Sequence, residues 1–583
     1  MKLVFRHYLA SLRERDELDI LLPDLLSELG FNVLSRPTRG VRQHGVDVMA
    51  VGMHKGEQKV FLFSIKQGNL TRSDWNTGDQ ALRPSLDSIL DGYVQSRIPE
   101  QYKQHKIVIC LCFGGEIVES IREEVIGYTK RHTTERISYE EWNGDLLAGH
   151  LSEGVLKQQI VSEDLRNSFN KSIAMLNEPE VAFRYFSHLL IGLLAGSNAS
   201  PDERVATMRR IYICLSVLFV WGREEGNLEA PYRASELAVL RAWHLVRADI
   251  GDRPGAHMKV RLLFAELVDL HFQVWQGLYG KKILPHVGTQ HGVSAAVSTS
   301  TPVDVNLKLF ETLGRISQRG LWMLWEEGCG GTLPKVYAAS SRARRLGAQV
   351  CHLINNNPCL LSPMADEQSI DIGIALVFLS MMSETQPYSQ NYATEILQRI
   401  RFSFETHSRY PTIQRDYRDL IHHPRESTEE YRKKQTRGST LIPLVMLWAS
   451  SRGATEATQI FADFVGAMLK HCNQQLWIAG EDTEEKLYQG EPRHGWALSG
   501  IPITPDGIAA MELLTRECEG GHAFGALSAI SLDHWPILVM ACRHSRLPLP
   551  PNLWLPLLSQ VRGEQFVAAD QVVVERDSME AKG

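Results

Sequence analysis

Short apolar runs alternate with amphipathic stretches over the first quarter of the chain. A stripe of leucines from Leu18 to Leu29 has helical spacing and ends at Gly30, a residue type favoured just after a helix. The apolar runs after it predict strands at 31–36, 46–51, 59–66, 106–113 and 137–142. The run at 106–113 is continuously apolar, which predicts a strand covered on both faces, and the last run predicts an edge strand.

Helical spacing between these runs completes the order α-β-β-β-α-β-α-β-α. One predicted helix spans 71–93, where Thr71 and Asp74 can form its cap, and another spans 116–130. A short helix follows the turn at Asn143–Gly144. This order is typical of one mixed-sheet α/β domain, which we place at residues 1–158.

Helical periodicity dominates the rest of the chain and predicts a large α-helical region at 165–560. A loop at 284–305 that contains Gly, Ser, Thr and Pro marks a possible subdivision, and 480–505 is a second long irregular stretch. Residues 563–583 have the composition of a loosely held tail. The predicted fold class is therefore multidomain, α/β followed by all-α.

The composition is that of a multidomain globular protein, with 583 residues, 44% hydrophobic and a net charge of −6. That charge excludes a polybasic nucleic-acid coat protein but not a local basic groove. The longest apolar run, 211–221, is shorter than the ~18 residues that a spanning helix needs, and the N-terminus has no signal-peptide core. Nine cysteines without a CxxC pair fit a reducing compartment. We therefore expect a cytoplasmic protein that does not act at a membrane.

Asp47 and Lys66 form the constellation with the clearest chemistry. A hairpin turn between the second and third predicted strands would place Asp47 nearly opposite Ser64, and Ser64 shares a strand face with Lys66. A lysine at the end of an apolar strand is costly to bury without a partner, and Asp47 would be that partner. An ion pair that merely closes the hairpin would explain these residues, but not Gly30, Gly45 and the order of elements together.

Around these residues the sequence resembles the PD-(D/E)xK, or restriction-endonuclease-like, nuclease superfamily, and most closely its Mrr-like type IV restriction branch. The resemblance rests on Glu-Leu-Gly-Phe at 28–31, Gly-Val-Asp at 45–47, Ser-Ile-Lys at 64–66 and Glu-Trp-Asn-Gly-Asp-Leu-Leu at 141–147. It covers about residues 10 to 155, and nothing in the helical remainder contributes to it. The resemblance implies a restriction-endonuclease-like fold for the first domain and hydrolysis of phosphodiester bonds.

The same resemblance implies roles for individual positions. Asp47 would bind a divalent metal, Mg²⁺ or Mn²⁺, and Lys66 would orient or activate the attacking water. Ser64 stands where the family usually has Glu, Asp or Gln, and the carbonyl of Ile65 could be a further metal ligand. Asp19 is the first choice for an assisting acidic residue on the first helix. The substitutes for it are Glu17 and Glu28. These roles are physically coherent, because Mg²⁺ needs only one or two protein carboxylates and a neighbouring cation stabilises charge that develops on phosphate.

Polar residues on either side of the constellation are candidates for nucleic-acid binding. They are Arg36, Arg39, Arg42 and His44 before Asp47, and Gln67 and Arg72 after Lys66. Such side chains can contact successive phosphates of a nucleic acid that leads into the site. A solvated loop that contains basic residues explains the pattern equally well.

The serine at position 64 leaves two functions open. The first is an active endonuclease, with DNA favoured over RNA, that serves as the effector of a bacterial anti-phage or restriction system. Because the chain has no GxxxxGK[ST] phosphate loop, we expect it to act as an oligomer or hetero-complex with a separately encoded partner such as an NTPase. The second is a catalytically degenerate module that binds nucleic acid or serves as a scaffold in such a complex.

Overall fold

Five strands form one mixed sheet in the N-terminal part of the protein. They are β1 (Asn32–Ser35), β2 (Val48–His54), β3 (Glu57–Lys66), β4 (Ile107–Phe113) and β5 (Ile137–Trp142). They lie side by side in chain order; β1, β2 and β3 pair antiparallel, whereas β3, β4 and β5 pair parallel. Every residue of β4 is buried and β5 lies at an edge of the sheet, which confirms both predictions for these strands.

This computed structural model describes most of the chain, and all structural statements concern the residues in the following ranges. They are 2–36, 44–54, 56–77, 81–151, 163–195, 200–251, 258–297, 301–327, 341–406, 408–423, 428–491, 493–520 and 522–560.

Two helices and a π-helical turn precede the sheet. Helix α1 spans Lys2–Ser11, the π-turn spans Glu14–Leu18, and α2 spans Asp19–Glu28. Gly30 ends α2 with a φ of +84°. The backbone N–H of Phe31 donates to the Leu26 carbonyl (2.9 Å), and that of Gly30 donates to the Ser27 carbonyl (3.1 Å). This is a Schellman motif, so the glycine satisfies the carbonyls that the helix leaves unpaired.

The prediction of one helix over 71–93 was wrong, because this segment contains several short helices. They are α3 (Arg72–Asn76), α4 (Leu82–Ser88), a π-turn (Ile89–Tyr93) and α5 (Val94–Ser96). Thr71 and Asp74 do form the expected capping box, but Thr77 adopts an extended conformation (φ −108°, ψ 115°) that ends α3. The spacing of hydrophobic residues does not reveal such a change in backbone conformation.

Three further elements complete the sheet domain. They are a 3₁₀ turn (Glu100–Tyr102), α6 (Glu119–His132) and α7 (Gly144–His150). The side chain of Asn143 accepts a hydrogen bond from the Leu146 N–H and caps α7, which confirms the predicted short helix after Asn143–Gly144.

Apolar side chains cover both faces of the sheet. On one face, Leu62 and Ile109 belong to a buried cluster with Trp75 of α3 and Tyr128 of α6. The opposite face is aromatic. There Phe63 packs edge-on against Trp142 (5.0 Å between ring centroids), and Phe31 packs in the same manner against Phe61 (5.0 Å). Each fully buried side chain of this size contributes about 1.5–3 kcal/mol, so the sheet is firmly held between its two layers.

Helices follow the sheet domain. They are α8 (Glu163–Ala174), α9 (Pro179–Leu194), α10 (Pro201–Glu224), α11 (Glu229–Gly251) and α12 (Met258–Trp275). The chain divides into two compact units, and the first comprises Met1–Val239 and Arg253–Val274. The sheet therefore shares a compact unit with α8, α9 and α10. The predicted end of the first domain at 158 and the tail at 563–583 lie outside the described residues, so these boundaries stay predictions.

Within the described residues, one helical segment, 202–224, is long and apolar enough by composition to cross a membrane. Its 18-residue window has a mean hydropathy of 1.4, and 78% of that window is buried inside the protein. Most of this apolar segment of α10 is therefore packed against the rest of the protein.

The second unit comprises Leu240–Asp252 and Trp275–Gly583 and is mostly helical. Its α-helices are α13 (Pro302–Glu326), α14 (Ser341–Asn356), α15 (Ser369–Ser380), α16 (Gln386–Glu405), α17 (Tyr417–His422), α18 (Glu429–Gln435), α19 (Leu441–Ala449), α20 (Glu456–Met468), α21 (Thr483–Leu487), α22 (Ile508–Gly520), α23 (His522–Ala526), α24 (Ser528–Ser531) and α25 (Trp535–His544). Its short turns are the π-turn Gln276–Gly280 and the 3₁₀ turns Leu284–His286, Pro358–Leu361, Asp366–Gln368 and Ser450–Arg452. Residues 551–560 are also helical.

A small sheet that the sequence analysis did not predict lies in the same unit. It consists of β6 (Gly438–Ser439), β7 (Asn473–Ile478) and β8 (Trp496–Ser499). These strands are too short to give a clear alternating pattern. The α/β class of the N-terminal region and the mostly helical character of the remainder are otherwise as predicted.

Candidate active site

The β2–β3 hairpin places Asp47 beside the end of β3. Val48 pairs with Phe63 in the antiparallel register, so the preceding residue, Asp47, lies opposite Ser64. The Asp47 N–H donates to the Phe63 carbonyl (2.8 Å), and the Asp47 carboxylate accepts a hydrogen bond from the Ile65 N–H (2.7 Å). The carboxylate is thus fixed by the backbone of the neighbouring strand, in the position that the hairpin register predicted.

Lys66, the last residue of β3, is 8% exposed and forms an ion pair. Its ammonium group donates to both carboxylate oxygens of Glu14, at 3.1 and 3.2 Å. Ser64 lies on the same strand face two residues earlier and is 2% exposed. The ion-pair partner of Lys66 is therefore Glu14 of the π-turn and not Asp47, which the sequence had predicted as its partner. Lys66 and Asp47 interact electrostatically.

Glu14 is the site residue that the sequence analysis missed. The Asp19 N–H bonds to the Glu14 carbonyl across the π-turn, which has the i to i+5 hydrogen bonds of a π-helix. Because that spacing places residues five apart on one side of the turn, Glu14 and Asp19 are brought to the same side. The acidic run at 14–19 was visible in the sequence, but ordinary helical spacing does not align its first and last members.

The three carboxylates interact electrostatically. The pKa of Asp47 is raised from 3.8 to about 6, chiefly by burial; the negative charges of Glu14 and Asp19 contribute to the rise, whereas the Ile65 N–H and Lys66 oppose it. Two carboxylates close enough to raise the pKa of a third carboxyl group form a region of excess negative charge, which favours a bound cation.

The backbone before Asp47 passes very close to the backbone of α4. Gly45 has a φ of +80°, and a Cβ at this position would lie 2.2 Å from the carbonyl oxygen of Ser85 in α4. His44 also adopts a positive φ (49°), and its ring lies beside Gly92. Any side chain at position 45 would push the strand away from α4. This explains the glycine of the Gly-Val-Asp sequence in structural terms.

The predicted substitutes for Asp19 are engaged by other partners. Glu17 binds Arg13 (2.7 Å) and Arg223 (2.7 Å), and Glu28 binds Arg209 (3.1 Å). Neither of the two is paired with Lys66, whereas Asp19 is electrostatically coupled to Asp47. Asp19 thus remains the better of the predicted helix residues, and Glu14 joins it.

Arg36 and Arg72, two predicted nucleic-acid contacts, form ion pairs within the protein. Arg36, which follows β1, contacts Asp24 (2.8 Å) and Glu266 (3.5 Å). Arg72 is 71% exposed and contacts Glu124 of α6 (3.1 Å). Gln67 directly follows Lys66 and is exposed, so among these residues it is the nearest in sequence to the Asp47–Lys66 group. Arg39 and Arg42 lie outside the described residues.

The donor set fits a hydrated ion better than a protein cage. Within the described ranges, no group of three or more His, Cys, Asp and Glu side chains is arranged to hold a metal ion. Mg²⁺ usually keeps several waters and binds through one or two carboxylates, which Asp47 together with Glu14 or Asp19 can supply. Hard oxygen donors of this kind favour Mg²⁺ or Mn²⁺ over softer metals.

We compared the chain with protein-family models, with curated proteins and with solved structures, and nothing matches in any of the three comparisons.

Proposed function

We propose that this protein is a metal-dependent nuclease with a restriction-endonuclease-like N-terminal domain. The observation that carries the proposal is the grouping of Asp47, Glu14 and Lys66 where β2 begins and β3 ends. An acid fixed by strand backbone, a second acid and a lysine within 3.2 Å of that second acid supply the charges that phosphodiester hydrolysis requires.

Each side chain has a distinct role in this proposal. Asp47 and Glu14, with Asp19 nearby, would hold Mg²⁺ or Mn²⁺, which when bound polarises a phosphate oxygen and lowers the pKa of a water molecule. Lys66 would orient the attacking water and stabilise the negative charge that develops on the phosphate. Gln67, exposed just beyond Lys66, would contact the substrate backbone.

Glu14 supplies the carboxylate that Ser64 does not. A serine hydroxyl is a weak neutral ligand, and at position 64 it leaves β3 without an acidic residue beside Lys66. Glu14 reaches the same lysine from the π-turn. The site therefore keeps two carboxylates near the lysine despite the substitution in the strand.

The cellular role remains the one that the resemblance implies. We propose a cytoplasmic effector of a bacterial anti-phage or restriction system that acts on DNA in preference to RNA. It would work in an oligomer or hetero-complex in which a separate protein such as an NTPase controls cutting.

Two features of the site support the alternative function, a catalytically degenerate module. Ser64 replaces the usual acidic residue, and Glu14 holds the lysine in an ion pair. A domain with this arrangement could bind nucleic acid without cleaving it.

Cleavage by the full-length chain separates the two functions. Plasmid DNA and a structured RNA are incubated with the protein and with Mg²⁺ or Mn²⁺, and Asp47→Asn and Lys66→Ala are expected to lower the rate by about 10²–10³-fold or more. The matched controls are Asp145→Asn and Lys106→Ala, which alter exposed ion pairs with Lys2 and Glu57 and should leave the rate unchanged.

Three outcomes are informative. Equal rates for the site variants and the controls would contradict the site assignment. An inactive wild type that gains cleavage on Ser64→Glu would support the degenerate module. Faster cleavage of RNA than of DNA would overturn the substrate preference.

A further inference from the structure

One face of α10 carries a regular series of polar and aromatic side chains. These residues are spaced three and four apart along the helix, which places them on one face. They are Arg209, Tyr212, Ser216, Phe219 and Arg223. The arginines at the two ends of this series contact the N-terminal segment that carries Glu14 and Asp19.

Arg223 contacts the π-turn. Its guanidinium donates to the Glu17 carboxylate (2.7 Å) and to the Ser11 carbonyl (3.3 Å). Glu17 also accepts from the N–H and the side chain of Arg13, at 2.8 and 2.9 Å, and its side chain is only 8% exposed. Burial alone would raise the pKa of Glu17, but the hydrogen bonds from Arg223 and Arg13 hold it below its ordinary value. The carboxylate is therefore held tightly in its charged form.

Arg209 makes the equivalent contact at the other end of the series. It binds Glu28 near the end of α2 at 3.1 Å and approaches Asp24 at 4.0 Å. Between the two arginines, the buried Tyr8 of α1 hydrogen-bonds with Ser216. Helix α10 thus contacts α1, the π-turn and α2, and Arg223 supplies the contact with the turn that bears Glu14.

We propose that Arg223 is a positioning residue for the active site, a role that rests on the proposed nuclease function. By fixing Glu17 within the π-turn, Arg223 keeps Glu14 against Lys66 and Asp19 near Asp47. Loss of this contact lets the turn relax toward ordinary helical spacing, in which Glu14 and Asp19 no longer share a side. Displacements of about 1 Å near reacting groups can cost 10²-fold in rate.

It follows that the helical region is part of the active-site structure and not only an appended module. Arg223 lies in α10, about 60 residues beyond the end of the domain that the sequence predicts. Any partner that shifts α10 would change the geometry of the π-turn through Glu17.

The test uses full-length Arg223→Ala and Glu17→Gln, the double variant, and Arg209→Ala as the matched control on the same helix face. Hydrogen exchange of residues 12–20 reports on the turn, and cleavage kinetics report on the site. We expect Arg223→Ala and Glu17→Gln each to speed exchange of that segment at least tenfold. Both should lower kcat by 10- to 100-fold with KM changed less than twofold, and the double variant should add little, because both act through one contact.

Arg209→Ala should change neither readout. Unchanged exchange in residues 12–20 for Arg223→Ala or, if that variant does not fold, for Glu17→Gln would overturn the proposal. A loss of kcat in Arg209→Ala equal to that in Arg223→Ala would also overturn it, because it would show a general structural effect. If the wild type does not cleave nucleic acid, the nuclease function fails while hydrogen exchange still decides whether Arg223 positions the turn.

Discussion

Two groups of buried charges in this protein, one in each compact unit, differ in their balance. At the end of the N-terminal sheet, Lys66 is paired with Glu14, and Glu14 and Asp19 add negative charge around Asp47. In the helical unit, Asp371 of α15 is 1% exposed and binds Arg546 (2.8 Å), which also contacts the Glu367 carbonyl (3.2 Å). The first group has three carboxylates and one lysine, whereas the second has more than one carboxylate and more than one arginine.

The proposed function gives this difference in charge balance a meaning: the first group would bind a cation, whereas the second is a structural ion pair. Burial raises the pKa of Asp371 as it does that of Asp47, but the positive charges of Arg546 and Arg543 oppose the rise at Asp371. The guanidinium is always charged and offers several donors in a fixed plane, which suits a permanent structural contact. An excess of carboxylates around one lysine instead leaves negative charge that a divalent ion can neutralise.

The largest expected effect on stability is at the structural pair. Arg546→Ala leaves Asp371 buried without its main partner, and we expect a loss of about 3–5 kcal/mol of unfolding free energy. Chemical denaturation of the full chain measures it. Adding Asp371→Asn to Arg546→Ala should recover part of the loss, because the uncompensated charge is then removed. If the unfolding free energy does not recover, its loss comes from the packing around Arg546 and not from the uncompensated charge.

A smaller effect of opposite sign is expected at Asp47 in the proposed active site. Because the pKa of Asp47 is about 6 in the folded protein and 3.8 ordinarily, the folded state binds more protons between these values, so stability falls as pH rises through that window. Asp47→Asn removes this cost and should stabilise the protein by about 3 kcal/mol at pH 8 and by less than about 1 kcal/mol at pH 4. Denaturation curves at both pH values test this expectation.

The matched control for that prediction is Asp145→Asn. A hydrogen bond from Lys2 lowers the pKa of Asp145, so its replacement should give no gain at pH 8. If Asp47→Asn destabilises the protein at pH 8, Asp47 and Lys66 are a stabilising hairpin pair like the pair in the helical unit, and the contrast between the two groups disappears.

The smallest effect is expected at an exposed pair. Arg72→Ala removes the contact with Glu124 and should change the unfolding free energy by less than about 1 kcal/mol. If Arg72 contacts phosphate as predicted, the slope of log affinity against log salt for DNA should fall by about 1. An unchanged slope would remove Arg72 from the predicted nucleic-acid contacts, and Lys106→Ala at the opposite end of the sheet is the control.

Local patterns were sufficient for the strands, for the Schellman end of α2 and for the relation of Asp47 to Ser64. All of these depend on residues close in sequence or on the period of two along a strand, so they can be derived without the fold. The single helix predicted over 71–93 was wrong because an extended residue, Thr77, interrupts it. The small sheet of the helical unit was missed because its strands are only two to six residues long.

The sequence by itself therefore determined the order of elements in the sheet domain and the position of Asp47 beside the strand that ends in Lys66. Only the tertiary structure decided which acidic residue pairs with that lysine, because six acidic residues lie between positions 14 and 28 and a π-turn selects Glu14 among them. It also decided that Arg36, Glu17 and Glu28 form other ion pairs, and that Arg223 of a distant helix contacts the turn. Such choices depend on contacts between residues far apart in the chain, which periodicity and local spacing do not encode.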